Sequence, residues 1–416
     1  SGGLGIGVLN AITEKTYGTI KNTETGETKK VVVEPLANYN VVVLDQRFNQ
    51  NSSVAFVNTN VTRNGEFRDA NVSAIVYDLN TKNNKFNLSG DFKYSYINEY
   101  GDAENPEGVN TAISIGKKGG HWRYDIGGNY VSKDYDSNDL GLLNINNYHG
   151  IYTNTSYRIL NPNKTFNTFR INLNNYFEFH NETGRIQQGQ LNFDLASNTR
   201  KNDYIGASLY INPFKTFDFY ESRVAGRFLE IPRNIYGSIY ISTNYNRKFA
   251  VDITPEVTLT EEKNRIYYGL TIAPRYRFSN KFLVHYSFLT NIQHADIGWV
   301  DFDGDDIILA ARDRKTLTNE LSLKYSLNPK MTFNLAARHY WSYAENNQFL
   351  TLQNDGKFTP NSTFTENKDS NFSTWNFDLS YSWWFAPGSQ ISVLYRNNAT
   401  DYRTEIDERL GKNLKN

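Results

Sequence analysis

The chain has 416 residues, with 44 basic and 44 acidic side chains, no cysteine, one methionine and ten prolines. Its mean hydropathy of −0.61 excludes a bundle of membrane helices, which needs apolar runs of about 18 residues or more, and the missing cysteines exclude a disulfide framework, a thiolate metal site and a cysteine nucleophile. Neutral charge argues against a general nucleic-acid binder, and 15% aromatic residues argue against disorder.

Many aromatics on a hydrophilic average suit a wall one residue thick, greasy on one side and wet on the other. Transmembrane β-barrels are walls of this kind. Period-two alternation, read from the N-terminus, predicts nineteen strands: 4–13, 38–48, 53–62, 70–79, 85–97, 110–118, 120–132, 147–160, 165–180, 185–198, 203–212, 235–245, 248–260, 265–278, 281–296, 314–327, 330–344, 372–386 and 389–400. In 169–180, Phe169, Ile171, Leu173, Phe177 and Phe179 oppose Arg170, Asn172, Asn174, Glu178 and His180. In 266–278, Tyr268, Leu270, Ile272, Tyr276 and Phe278 oppose Gly269, Thr271, Arg275 and Arg277. In 317–327, Leu317, Leu321, Leu323, Tyr325 and Leu327 oppose Thr318, Glu320, Ser322, Lys324 and Ser326. In 374–385, Trp375, Phe377, Leu379, Tyr381, Trp383 and Phe385 oppose Asn376, Asp378, Ser380 and Ser382.

Short turns rich in Asn, Gly, Pro, Asp and Lys alternate with longer polar connections, among them 14–37, 133–146, 213–234, 297–313 and 345–371. Outer-membrane barrels alternate short periplasmic turns with longer outer loops in this way. Strands of 11–16 residues exceed the soluble average of about 5–6, which weighs against the rival reading of a soluble propeller or sandwich. The expected fold is all-β, a transmembrane antiparallel β-barrel spanning 1–416. Strands one and nineteen both run outward, so a barrel with both ends in the periplasm needs an even count. The expectation is at least one returning strand beyond Asn416, about 20 in the complete barrel. The start at Ser1-Gly2-Gly3 has no basic, apolar, cleavable segment, so the chain reads as part of a longer protein whose signal peptide is already removed.

Several landmarks resemble a known family. They are Leu4-Gly-Ile-Gly-Val-Leu-Asn-Ala-Ile-Thr13, Asn38-Tyr-Asn-Val-Val-Val-Leu-Asp-Gln46, Asn51-Ser-Ser-Val54, Asn58-Thr-Asn-Val61 and Asp69-Ala-Asn-Val72, followed by Pro213-Phe-Lys-Thr-Phe-Asp218, Glu221-Ser-Arg-Val-Ala-Gly-Arg-Phe228 and Ala311-Arg-Asp-Arg314. Together they resemble the C-terminal barrel domain of an uncharacterised Gram-negative family. Its members join an N-terminal β-sandwich, similar to carbohydrate-binding module family nine, to an outer-membrane barrel. The resemblance covers the whole chain, strongest over the first 80 residues and around 213–228. It implies an outer-membrane location and an N-terminal glycan-binding-like domain that is missing here, and it supplies no catalytic residues.

The polar faces gather Arg158, Arg170, Arg275, Arg277, Lys324, Arg338 and Lys93 with Asp91, Glu178, Glu320 and Asp378. These are the expected lumen-lining charges, and rings of such charges set ion preference. The bland alternative is that they pair and fill the interior. Asp301, Asp303, Asp305 and Asp306 are a weak calcium candidate. Gly304 falls at the fourth place of that loop, not the sixth, and no Glu stands at the twelfth, so the EF-hand pattern fails. A solvated acidic loop is preferred, with divalent bridging to lipopolysaccharide as the sharper alternative. Tyr94, Tyr96, Trp122, Tyr124, Tyr340, Trp341, Tyr343, Trp383 and Trp384 read as interface aromatics rather than sugar platforms. Six scattered histidines form no metal or nucleophile motif.

The expected function is non-enzymatic: a membrane anchor for a glycan-binding-like domain, or an accessory subunit of a larger outer-membrane complex. The alternative is a channel for small or oligomeric solutes, and an embedded hydrolase is the weakest reading. No cofactor is expected. The expected partners are outer-membrane lipid and lipopolysaccharide, other envelope proteins, glycans through the missing domain, and no nucleic acid.

Overall fold

The computed structural model describes residues 3–101 and 104–406. Every described strand pairing is antiparallel, and 20 of the strands belong to one hydrogen-bonded sheet. The chain divides into two compact units, residues 1–157 with 174–188, and residues 158–173 with 189–416.

The first unit contains β1 (Leu4–Thr13), β2 (Thr16–Lys21), β3 (Thr28–Glu34), β4 (Ala37–Phe48), β5 (Ser52–Arg63), β6 (Asp69–Asn80), β7 (Phe86–Asn98), β8 (Glu107–Lys117) and β9 (Trp122–Val131). It also holds most of β10 (Tyr148–Ile159), the end of β11 (Phe166–His180) and the start of β12 (Ile186–Thr199). From β4 to β10 each strand pairs with the next, and β1 pairs with β4. One rung joins Ile6, Leu44, Phe56, Ile75, Phe92, Thr111 and Tyr130. The neighbouring rung turns Asp45, Ala55, Val76, Asp91, Ala112 and Asn129 to the other face.

The second unit continues with β13 (Tyr204–Asn212), β14 (Thr216–Asp218), β15 (Leu229–Ile231), β16 (Asn234–Ser242), β17 (Phe249–Thr260), β18 (Ile266–Arg277), β19 (Phe282–Asp303), β20 (Asp306–Asn328), β21 (Met331–Leu352), β22 (Phe358–Pro360), β23 (Ser370–Ala386) and β24 (Ser389–Arg403). Here the two faces separate sharply. One rung joins Tyr276, Val284, Leu323, Leu335, Leu379 and Tyr395. The next joins Arg275, His285, Ser322, Ala336, Asp378 and Arg396 on the opposite face.

The sheet is mostly one layer thick. Large apolar side chains on the greasy rungs stay uncovered, including Phe92, Ile113, Ile115 and Ile126. Among the described residues β1 has only β4 as partner and β24 only β23, so the sheet keeps two edges. All ten residues of β1 are exposed.

The structure corrects several expected loops. Segment 14–37 holds the β2–β3 hairpin, and 213–234 holds the β14–β15 ribbon. Segment 297–313 is not a loop, because β19 and β20 run on to a tip at Asp303 and Asp306. Gly304 supplies the left-handed turn there, with φ of 58°. β21 likewise runs to Leu352, beyond the expected end at 344. These extensions bury a small core of Leu229, Ile307, Leu309, Leu350 and Leu352, covered by Ile231, Trp299 and Phe358. β24 continues to Arg403, three residues past its expected end at 400. Residues 407–416 lie outside the described residues.

Candidate functional site

The polar face is the candidate site, and much of its charge is paired. Arg396 grips Asp378 with two bonds of 2.8 Å, from Nε to Oδ1 and from Nη2 to Oδ2. Arg338 Nε lies 3.2 Å from Glu320 Oε1 across the β20–β21 pair, and Lys93 Nζ lies 2.9 Å from Asp91. Arg275 lays its guanidinium 4.1 Å from the centre of the Tyr245 ring. Glu178, 6% exposed, accepts the Tyr176 hydroxyl at 2.6 Å. Arg158 shares the polar parity of Tyr148, Tyr152 and Asn154 in β10. Arg170, Arg277 and Lys324 make no ion pair among the described residues. The expected charges therefore form small separate groups, with Arg396 as a partner that sequence reasoning missed.

Tyrosine is the larger omission. Tyr210 stacks on Tyr236 with centroids 5.1 Å apart, and Tyr204 meets Tyr240 edge-on at 5.6 Å. All four lie on the polar face, opposite Leu209, Ile235 and Ile239. Carboxylates accept from this group: Tyr236 donates to Glu256 at 2.9 Å, and Ser208 donates to Asp194 at 2.6 Å. In β21, Tyr340 shares the polar face with Arg338, and in β23 Trp384 shares it with Asp378, so neither sits on the apolar face assumed for an interface aromatic. Trp341 is fully buried and donates to Asn371 at 2.7 Å. Beside it, buried His339 meets Ser373 Oγ through Nε2 at 3.2 Å.

Loops cover part of the polar face in the first unit. Residues 132–147 reach back over β5–β8. Tyr135 and Ile97 are buried there, and the Asp136 N–H donates to Ser95 Oγ at 3.1 Å. Asp139 is clamped by Arg63 at 2.6 Å and Arg68 at 2.8 Å, and Asp136 by Arg68 at 3.2 Å. Burial works to lower the pKa of the Arg68 guanidinium, but the carboxylates of Asp139 and Asp136 outweigh it and raise it.

In the second unit, residues 213–233 wrap the long strands. Glu221 accepts the Trp299 N–H at 2.7 Å, Arg223 lies 5.2 Å over the Trp299 ring, and Arg227 donates to the Leu352 carbonyl at 2.8 Å.

The four candidate calcium ligands do not converge. Asp301 is held by Lys368 at 2.6 Å, which also meets Glu366 at 2.8 Å. Asp303, Asp305 and Asp306 surround the hairpin tip. Among the described residues no three His, Asp or Glu side chains come together as a metal set. The Lys368 ammonium and the Phe302 N–H hold the Asp301 carboxyl below the usual range, while Asp301 and Glu366 raise the Lys368 pKa.

Comparison with curated proteins finds no match. The family described as a domain of unknown function, DUF5916, matches residues 1–416. With the match running across the two-faced sheet and its looped caps, the chain belongs to the DUF5916 family.

Proposed function

We propose that this chain is an integral β-barrel of a Gram-negative outer membrane, non-enzymatic, serving as an anchor or accessory subunit. The observation that carries the reading is the apolar face, whose large side chains stay exposed over much of the sheet, although Asn319, His339 and Lys315 interrupt it in β20 and β21. Along β19 itself the side chains of this face, from Phe282 to Ile292, span ten steps. At about 3.4 Å per step and a tilt of about 40°, that is about 26 Å, close to the apolar band of about 25 Å that such barrels carry. Hydrocarbon requires every backbone group to be paired, so the two sheet edges need partners in the membrane. Ion pairs and the looped cap on the polar face favour a filled interior over an open pore. A glycan-binding-like domain joined to the N-terminal end of this barrel, as in the resembling family, would be held on the periplasmic side of the membrane, where β1 begins.

The chain has no cysteine, so single cysteines placed at 318–325 and carrying a fluorophore give a direct test. In vesicles, labels at 319, 321, 323 and 325 should be quenched by lipid-dissolved quenchers and those at 318, 320, 322 and 324 by aqueous ones. Loss of that alternation sinks the reading, as does a chain that stays monodisperse without detergent.

The second reading, a solute channel, has its own support. Asp252 Oδ1, Asn192 Oδ1, Asn198 Oδ1 and Arg275 Nε on the polar face have no partner in the structure. Buried polar atoms of this kind are normally met by water, and a wet interior is what a channel needs. Ion conductance in a planar bilayer separates the two: a silent barrel supports the anchor, and a conducting one supports the channel.

A further inference from the structure

We propose that a notch at the outer end of β18–β21 binds the saccharide headgroup of an amphiphile. The inference rests on the barrel reading, and it names a partner for the apolar face.

Two register breaks build the notch. An extra residue enters β19 between Gln293 and Asp296. A second enters β21 opposite Ala311 and Arg312, where Asn347 has no partner across the pair. Bulges re-aim side chains and are common beside functional sites. Ala295, at the first break, has φ of 51°, a left-handed conformation that costs an alanine about 1–2 kcal/mol. Asp313 stabilises it by accepting the Ala295 N–H at 3.0 Å. The strained turn sets the His294 ring between Asp313, 3.4 Å from Nδ1, and the Tyr268 hydroxyl, 3.2 Å from Nε2.

The result is a cavity of about 730 Å³ lined by Asn264, Ile266, His294, Asp313, Asn347 and Gln348. The side chains of Asn347 and Gln348 are exposed. Amides and imidazole donate and accept hydrogen bonds and a carboxylate accepts them, which matches the hydroxyls of a sugar. No Lys or Arg lines the notch, and Asp313 opposes an anion, so a phosphate headgroup fits poorly. Lys315 stands one rung nearer the apolar band, with its ammonium 5.9 Å from the Trp341 ring centre. Arg312 and Arg314 are committed to Asp296 on the other face. The Tyr268 ring, 42% exposed, offers a flat face beside His294.

Position supplies the second half of the argument. Along the greasy face the rungs run Phe282, Val284, Tyr286, Phe288, Thr290 and Ile292, and His294 follows next. An acyl chain lying along those rungs would place its headgroup in the notch.

The test uses the purified chain in detergent micelles and native mass spectrometry. The probes are a monoglucosyl diacylglycerol, phosphatidylglycerol and phosphatidylcholine with identical acyl chains. The wild-type chain should retain the glucosyl lipid about tenfold better than either phospholipid, and N347A/Q348A should lose that preference while binding the phospholipids unchanged. Both substituted side chains are exposed, so folding is little affected, and H294Q supplies a second variant with the same expected loss. Equal retention of all three lipids, a preference for phosphatidylglycerol, or an unaltered preference in both variants overturns the inference. The cysteine alternation test reports separately: if it holds while lipid preference is absent, the notch assignment fails and the barrel stands.

Discussion

Gly127 and Gly150 carry the first lesson at the scale of single residues. A Cβ on Gly127 would lie 2.4 Å from the Tyr152 ring and 2.6 Å from the Ile113 carbonyl, and one on Gly150 would lie 2.9 Å from Tyr176. Each tyrosine covers the glycine of the adjacent strand, a known device for stiffening sheets. Gly127→Ala should therefore destabilise the chain by about 1–3 kcal/mol through overpacking, read as a lower urea midpoint in vesicles, and Tyr152→Ala should partly rescue it. The Asp139 clamp gives a second expectation. Its side chain and that of Arg63 are only 7% and 13% exposed, so Asp139→Asn should cost about 3–5 kcal/mol of loop docking and open 132–147 to protease. The Lys368–Asp301 clasp gives a third, in pH. Asp301 has a depressed pKa, so its contribution is present above the unfolded value of about 3.9 and fades as pH falls through the folded one. Lys368 has a raised pKa, so its contribution is complete below about 10.4 and fades as pH climbs through the folded value. Protease protection of 353–369 should hold between those limits and weaken on both sides, and Lys368→Met should remove the dependence. Little of this was legible in the sequence. Tyrosine serves either face of a sheet, so Ile239-Tyr240-Ile241 gives no clue to whether its tyrosine packs, stacks or bonds.

Strands were far more legible. Alternation located the long strands of the meander within a few residues, since a rung that is greasy across six strands imposes the same phase on all of them. It failed at the tips of β19–β21. There Ile307, Ile308, Leu309 and Ala310 are all buried, so both faces are covered and period two disappears. The two bulges shift the phase as well, and nothing in the composition marks where a bulge falls. The candidate site was half visible for the same reason: Glu320 and Arg338 follow from parity, but which residues pair depends on register. The two faces predict opposite responses. Leu321→Arg, near the middle of the greasy rungs, should cost about 2–4 kcal/mol in vesicle unfolding, whereas Ser322→Arg on the polar face should cost little. Equal costs would mean that the chain does not face lipid.

Across the whole molecule, 44 positive and 44 negative side chains cancel, and many of them cancel locally through the pairs described above. In the proposed barrel, an interior organised in this way would filter weakly by charge. If the barrel conducts, Arg275→Ala should lower its anion preference in bilayer recordings; an unchanged permeability ratio would count against the channel. The length of β19 and β20, 22 and 23 residues, has a different consequence. Greasy rungs occupy β19 only as far as Ile292, leaving eleven positions, Gln293 to Asp303, beyond them. In the proposed barrel, at about 3.4 Å per position and a slant of about 40°, that stretch would rise about 28 Å above the lipid. A stiff ribbon of that height would carry Asp303, Asp305 and Asp306 past the headgroup layer. In the proposed barrel, whatever approaches the cell surface at this protein would touch an acidic beak before it reached the bilayer.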